Sequence, residues 1–408
     1  MIDNHYVTPE NYRRVWQQMS HFIDVAYTSL NKNGEELCGD KVEIIKTLDG
    51  VIIVMADGLG SGVKANILAT LTCKIAGTML KEGLSLYETV DTIVQTLPVC
   101  SVRQLAYCTF TIIKILKDGS VHAIEYDNPD YILIKDNYIH RPEKKVLMIK
   151  DKLIKESHFK LEINDALTIV SDGAIHAGVG AMLNLGWQWD NVADYLEALV
   201  PVESCSANIA KDLIQTCQKL YAGKPGDDTT AVTITLRKPK LVTIFTGPPK
   251  QIQNDKLTID KLIKSIGTKI ICGGTAANIA ARELDEKIVV DLEYYDPSVP
   301  PTANIKGIDL VTEGVLTLSK TSEKINTYLT SSLEDKISLN LKGKDGASQL
   351  ANILIEHCTH LKFIVGKTIN PAHQNPDFPS DLSIKVRVVE LLAQAMKKLG
   401  KEVEIEYI

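Results

Sequence analysis

The chain has 408 residues, 45% of them apolar and 24% charged, and its 45 basic against 51 acidic side chains give a net charge of −6. Single hydrophobic cores stop growing near roughly 250–300 residues, so two domains are expected, and the balance excludes a disordered polyelectrolyte or a fibrous repeat. The absence of any basic run argues against nucleic acid as a partner, and no apolar stretch reaches the roughly 18–20 residues of a membrane span.

The start, Met1-Ile2-Asp3-Asn4-His5, lacks a basic segment followed by an apolar one, which points to a soluble cytoplasmic protein. Eight cysteines without a C-x-x-C pair fit a reducing compartment better than a disulfide scaffold or a zinc ribbon.

In chain order, Val42–Ile45 and Val51–Ala56 flank Asp49-Gly50 and read as a hairpin. From Gly62 to Leu80, Val63, Ile67, Leu68, Leu71, Ile75 and Met79 recur at helical spacing, with Gly83 placed to end the run. Strands follow at Tyr107–Leu116, Val121–Tyr126, Tyr131–Ile134 and Ala166–Val170. Helices near 190–199 and 206–220 precede Gly226-Asp227-Asp228-Thr229-Thr230 and a strand at Ala231–Leu236. Arg237-Lys238-Pro239-Lys240 reads as a linker, which divides the chain into residues 1–237 and 241–408. Beyond it strands and helices alternate, an α/β pattern.

Asp-Gly pairs are common turn formers and mean little singly. Asp57-Gly58 and Asp172-Gly173, however, directly follow buried-strand patterns, and Asp227-Asp228 directly precedes one. Acids at the ends of neighbouring core strands can converge at one rim of a sheet, where unpaired carboxylates repel and call for hard divalent cations. A dinucleotide loop at Gly58-x-Gly60-x-Gly62 is the competing reading, with Glu82 as its acid. Glu82 instead ends the following helix, and a hairpin precedes the glycines.

Gly39-Asp40, Asp57-Gly58-Leu59-Gly60-Ser61-Gly62-Val63-Lys64-Ala65, Ser171-Asp172-Gly173 and Gly226-Asp227-Asp228-Thr229-Thr230 together resemble the metal-dependent serine/threonine protein phosphatases, in the bacterial branch typified by stage II sporulation protein E. The resemblance covers about residues 20–237. It implies a β-sandwich of two antiparallel sheets with helices on both outer faces, a four-layer α-β-β-α arrangement, and says nothing of the rest; with the α/β pattern beyond the linker, the expected fold class is α+β, this sandwich followed by a separate α/β domain.

The resemblance also implies two Mn²⁺ or Mg²⁺ ions. Asp57 would bridge them, with the Gly58 carbonyl as a further ligand; Asp172 and Asp227 would hold the second ion, and Asp40 would act from the outer shell. Asp228 stands where the family often has Asn or Asp beside the ligand, and ranks below Asp227. The implied chemistry is direct attack of a dimetal-activated water on phosphorus, without a phosphoenzyme. Leu59 stands where the animal branch has a histidine, so no leaving-group acid is identified. His176, Lys64 and Arg103 are read as solvated or salt-bridged side chains.

In residues 241–408, Gly273-Gly274-Thr275 joins a strand to a helix start. It is either an anion site for a small phosphate-bearing ligand or a plain turn with Thr275 as the helix cap. Asp309–Gly314 and Ile369–Pro379 are candidate loops of the same rim, and His357-Cys358-Thr359-His360 reads as a solvated helix end. The expectation is therefore a phosphatase acting on a phosphorylated partner protein, by analogy an anti-sigma-factor antagonist, with the second domain regulating or targeting it. The competing reading is a non-catalytic phosphatase-like scaffold carrying an α/β phosphate- or nucleotide-binding sensor.

Overall fold

A computed structural model describes residues 21–96, 108–150, 152–291, 293, 296–330, 341, 343–367 and 384–408. The chain divides into two compact units, Met1–Lys238 and Pro239–Ile408.

The first unit contains, in order, β1 (Phe22–Leu30), β2 (Asp40–Lys46), β3 (Gly50–Gly58), α1 (Gly62–Lys81), α2 (Leu86–Thr96), β4 (Cys108–Leu116) and β5 (Ser120–Tyr126). There follow β6 (Ile132–Lys135), β7 (Tyr138–His140), β8 (Lys145–Ile149), β9 (Lys152–Lys160), β10 (Ala166–Val170), α3 (Asp172–Ile175), α4 (Trp189–Leu199), α5 (Ser206–Leu220) and β11 (Thr229–Arg237). Two antiparallel sheets result, of order β1-β11-β10-β6-β7 and β2-β3-β4-β5-β9-β8.

Strand β3 explains why its sequence is continuously apolar rather than alternating. Ile53 and Met55 join Ile113, Leu167, Val232 and Ile234 in the core between the sheets. Ile52, Val54 and Ala56 face the other way, onto Ala69, Cys73 and Ala76 of α1 and Val90 and Ile93 of α2. Both faces of the strand are dry, which period-two burial of one face alone would not require. On the opposite side, α5 turns Ile209, Ala210, Leu213, Ile214 and Cys217 inward and packs on β1 and β11. The layers are helix, sheet, sheet, helix, as the family resemblance implies.

Helix α1 buries its small side chains rather than most of its bulky apolar ones. Val63, Ile67 and Leu71 are 61%, 58% and 43% exposed, and the buried residues are Gly62, Ala65, Ala69, Thr72, Cys73, Ala76, Gly77 and Leu80. Small side chains let the helix axis lie close over the β2–β3 hairpin, so the narrow stripe wins over the bulky one. Arg237 is not linker either: it is the last residue of β11. Its guanidinium donates to Asp24 Oδ2 at 2.6 Å, with both side chains about 5% exposed.

The second unit contains β12 (Leu241–Thr246), α6 (Asp255–Lys264), β13 (Thr268–Cys272), α7 (Gly274–Leu284), β14 (Val289–Val290), β15 (Ala303–Asn304) and β16 (Leu310–Thr312). Then come α8 (Val315–Thr330), α9 (Gly346–Glu356), β17 (His360–Val365), α10 (Ile384–Lys398) and β18 (Glu402–Tyr407). The sheet order is β14-β15-β16-β13-β12-β17-β18. Strands β16, β13, β12, β17 and β18 pair in parallel, and β14-β15 forms an antiparallel margin. Ile259 and Leu262 of α6 and Ala276 and Ala280 of α7 cover one face over Phe245 and Ile271. This is a doubly wound α/β sheet whose strand order reverses between β12 and β17.

Candidate active site

The two sheets bring the sequence-selected acids to one rim. Asp40 and Asp57 are direct partners across the antiparallel β2–β3 ladder. Strand β10 ends at Val170, opposite Ala231 of β11, so Asp172, just past the end of β10, meets Asp227-Asp228, just before the start of β11. Burial is the first cause that raises Asp57, to about 9, followed by the fields of Asp40, Asp172, Asp227 and Asp228. Asp57 thus feels the fields of the other four acids.

The local backbone makes this approach possible. A Cβ on Gly58 would lie 2.1 Å from the Ala65 carbonyl oxygen, so only glycine lets the end of β3 touch the first turn of α1. The Gly58 N–H donates to Gly39 O at 3.3 Å, which ties the strand end back to the residue before Asp40. Behind the acids, Ser171 Oγ accepts from Thr230 N at 2.8 Å, the Thr230 hydroxyl donates to Ser29 at 2.8 Å, and the Tyr221 hydroxyl donates to Gly173 O at 2.7 Å.

The individual environments differ. Asp40 is buried and pushed up to about 7, mainly by burial, with a smaller downward pull from the Thr230 and Ser171 hydroxyls. Asp172 is raised by burial and then by Asp227, while His176 pulls it down. Asp228 is 4% exposed and accepts from the Lys32 backbone N–H at 2.9 Å through Oδ1. Asp227 is more open, accepts from Asp228 N at 3.0 Å and has Lys32 Nζ 3.9 Å away.

Among the described residues, no donor stands in hydrogen-bond geometry to either Asp40 oxygen or to Asp228 Oδ2. Buried carboxylate oxygens without donors are costly, and oxygen-only donors gathered from two sheets suit hard divalent cations. The residues present thus fit such ions.

Sequence reasoning missed Lys32 and Glu35, and gave Ser61 no role within its motif. The Ser61 hydroxyl donates to Glu35 Oε1 at 2.9 Å, and a Cβ on Gly62 would meet Glu35 Oε2 at 2.4 Å. Lys32 and Glu35 come from the β1–β2 connection, and no motif marks it. The structure also excludes the dinucleotide reading, since β3 is flanked by antiparallel β2 and β4. His176 stands beside Asp172 and Lys64 is exposed; Arg103 and Ile369–Pro379 lie outside the described residues.

In the second unit the helix cap is Gly273, at φ +122°, with no side-chain capping bond. Thr275 lies inside the first turn of α7, so it is not the cap. This turn follows β13, whereas the reversal of strand order lies between β12 and β17. There the Lys385 ammonium donates to Gly366 O, and burial holds its pKa below the usual lysine range.

A family model places part of the first unit among the PP2C-type protein phosphatases, a class that hydrolyses phosphoric monoesters and uses two Mn²⁺ or Mg²⁺ ions. Residues 48–237 match the family model described as stage II sporulation protein E (SpoIIE), and this segment is a SpoIIE-family domain. No curated protein matches the chain.

Among solved structures, the phosphatase domain with a fragment of the regulatory domain of SpoIIE from Bacillus subtilis is 17% identical, with a TM-score of 0.46, over 53% of this chain and 62% of that one. The chain thus spans less than two thirds of that relative. The RsbU and RsbW domains of a Mycobacterium tuberculosis protein are 18% identical, with a TM-score of 0.45, over 60% of this chain and 68% of that one. RsbX in complex with magnesium is 20% identical, with a TM-score of 0.38, over 53% and 96%. Among the described residues, no helix is long and apolar enough to cross a membrane.

Proposed function

We propose that the chain is a metal-dependent serine/threonine protein phosphatase that works in the cytoplasm on a phosphorylated partner protein, with residues 241–408 as a regulatory or targeting domain. The observation that carries this reading is the gathering of Asp40, Asp57, Asp172, Asp227 and Asp228 at one rim, with buried oxygens that have no donor among the described residues.

In this reading Asp57, with the Gly58 carbonyl, Asp172 and Asp227, would hold the two cations. Asp40 works from behind, and Asp228 is fixed by the Lys32 N–H so that its free oxygen faces the rim. When bound, the cations activate a water and neutralise charge on the phosphoryl oxygens. The chain supplies the rest: the Ser171, Thr230 and Ser29 hydroxyl network holds the acids in place, and Gly58 keeps α1 against the strand end. The matched family supports a partner-switching substrate such as an anti-sigma-factor antagonist, an analogy at the level of fold. A small phosphate-bearing ligand at Gly273, Gly274 and Thr275 would be the signal read by the second domain.

The test is phosphate release from phosphoserine, phosphothreonine and phosphotyrosine peptides, with Mn²⁺ and with a chelator. Release from the first two that vanishes on chelation is expected. Release unaffected by chelation, or none with either Mn²⁺ or Mg²⁺, would overturn the proposal.

A further inference from the structure

Among the described residues, one trio of His, Cys, Asp or Glu side chains has its ligand atoms all within 4.8 Å of one another, and it lies outside the acid rim: His122, Glu156 and His158. We propose that this trio is a second metal site, selective for Zn²⁺ or a similar borderline transition ion, which clips β5 to β9.

The register builds it. His122 and His158 face each other directly across the antiparallel β5–β9 pair, and Glu156 sits two residues before His158 on the same face. The two rings are 3.9 Å apart between centroids, and His122 Nε2 is 2.7 Å from Glu156 Oε1. Ligands at 2.0–2.1 Å in a tetrahedral zinc site are about 3.3 Å apart, so the trio needs only modest side-chain rotation to close on an ion.

The site is remote from the acids. On β4, Thr109 is opposite Asp57 and Lys114 is opposite His122; the five residue steps between these levels span about 17 Å. His122 and Glu156 are partly buried and His158 is exposed, which leaves one side open to water as a further ligand.

The chemistry selects the ion. Lys114 opposite His122 and Lys145 opposite Glu156 remove the excess negative charge on which Mg²⁺ or Ca²⁺ would depend. Two imidazoles and one carboxylate are donors that suit Zn²⁺, Co²⁺ or Ni²⁺. The adjacent strands β4 and β8 hold β5 and β9 in place, so little order has to be imposed on binding.

The test uses the full-length protein in excess Mg²⁺, so that hard-cation sites are filled. Co²⁺ is titrated and read by its visible absorption, then displaced with Zn²⁺. One Co²⁺ per chain, displaced by Zn²⁺, is expected, with affinity lowered at least ~10-fold in His158→Gln, a change at an exposed position. Zn²⁺ should raise the melting temperature of the parent but not of His158→Gln. Absence of Co²⁺ and Zn²⁺ binding under these conditions, or equal affinity in the parent, His158→Gln and His122→Gln, would overturn the proposal. Loss of binding in the two histidine variants separates this site from the acid rim, into which Co²⁺ can also exchange.

Discussion

Asp40 and Asp57 set the behaviour of the metal-free protein. Their folded values, about 7 and about 9, lie above the unfolded aspartate value of about 3.9. Between these limits the folded state holds protons that the unfolded state has released, so stability falls as pH rises through that window. Thermal melting in chelator should show a lower midpoint at pH 8 than at pH 5, and Mn²⁺ should shrink the difference. Asp57→Asn, which removes one repelling charge, should melt higher than the parent at pH 8 in chelator. A parent midpoint that climbs from pH 5 to pH 8 would contradict the account. In the second unit, Gly273 at φ +122° and Gly274 with open space around its missing Cβ predict opposite outcomes. Gly273→Ala should cost about 1–3 kcal/mol and Gly274→Ala less than about 0.5 kcal/mol, by denaturant titration.

At the scale of elements, the faces of α1 and the end of β11 give the sharpest mutational contrasts. Ile67→Gln and Leu71→Gln should shift stability by less than about 0.5 kcal/mol, because those side chains face water. Ala76→Leu should cost about 1–3 kcal/mol by overpacking against β3. Arg237→Met should cost about 3–5 kcal/mol, since it strands the buried Asp24 carboxylate. The same elements show what the sequence could and could not convey. The β2–β3 hairpin was legible because both faces of β3 are dry and its turn is Asp49-Gly50. Helix α1 was legible as a helix but not in orientation, since periodicity reveals a stripe and not its partner. Strands β1, β8 and β9 are half-buried or at a sheet margin, with polar residues interspersed, and carry no strong pattern. The acids at 57, 172, 227 and 228 were legible because each adjoins a strand end, and Asp40 only through the family resemblance; Lys32 and Glu35 come from a connection that has no such marker.

For the whole molecule, the two units have separate cores, one on each side of Lys238. Residues 1–238 should therefore fold alone and melt cooperatively, with β11 paired to β1 and β10 as in the full chain; an insoluble or non-cooperative product would show that the halves depend on each other. The central claim is that the acid rim is a metal centre that drives phosphoester hydrolysis. The most direct test is Mn²⁺-dependent turnover of a generic phosphoester by the full-length protein and by Asp57→Asn, with folding of both verified by circular dichroism. The account predicts turnover in the parent that requires Mn²⁺ and falls by orders of magnitude in the variant; near-parental Mn²⁺-dependent turnover in folded Asp57→Asn would contradict it.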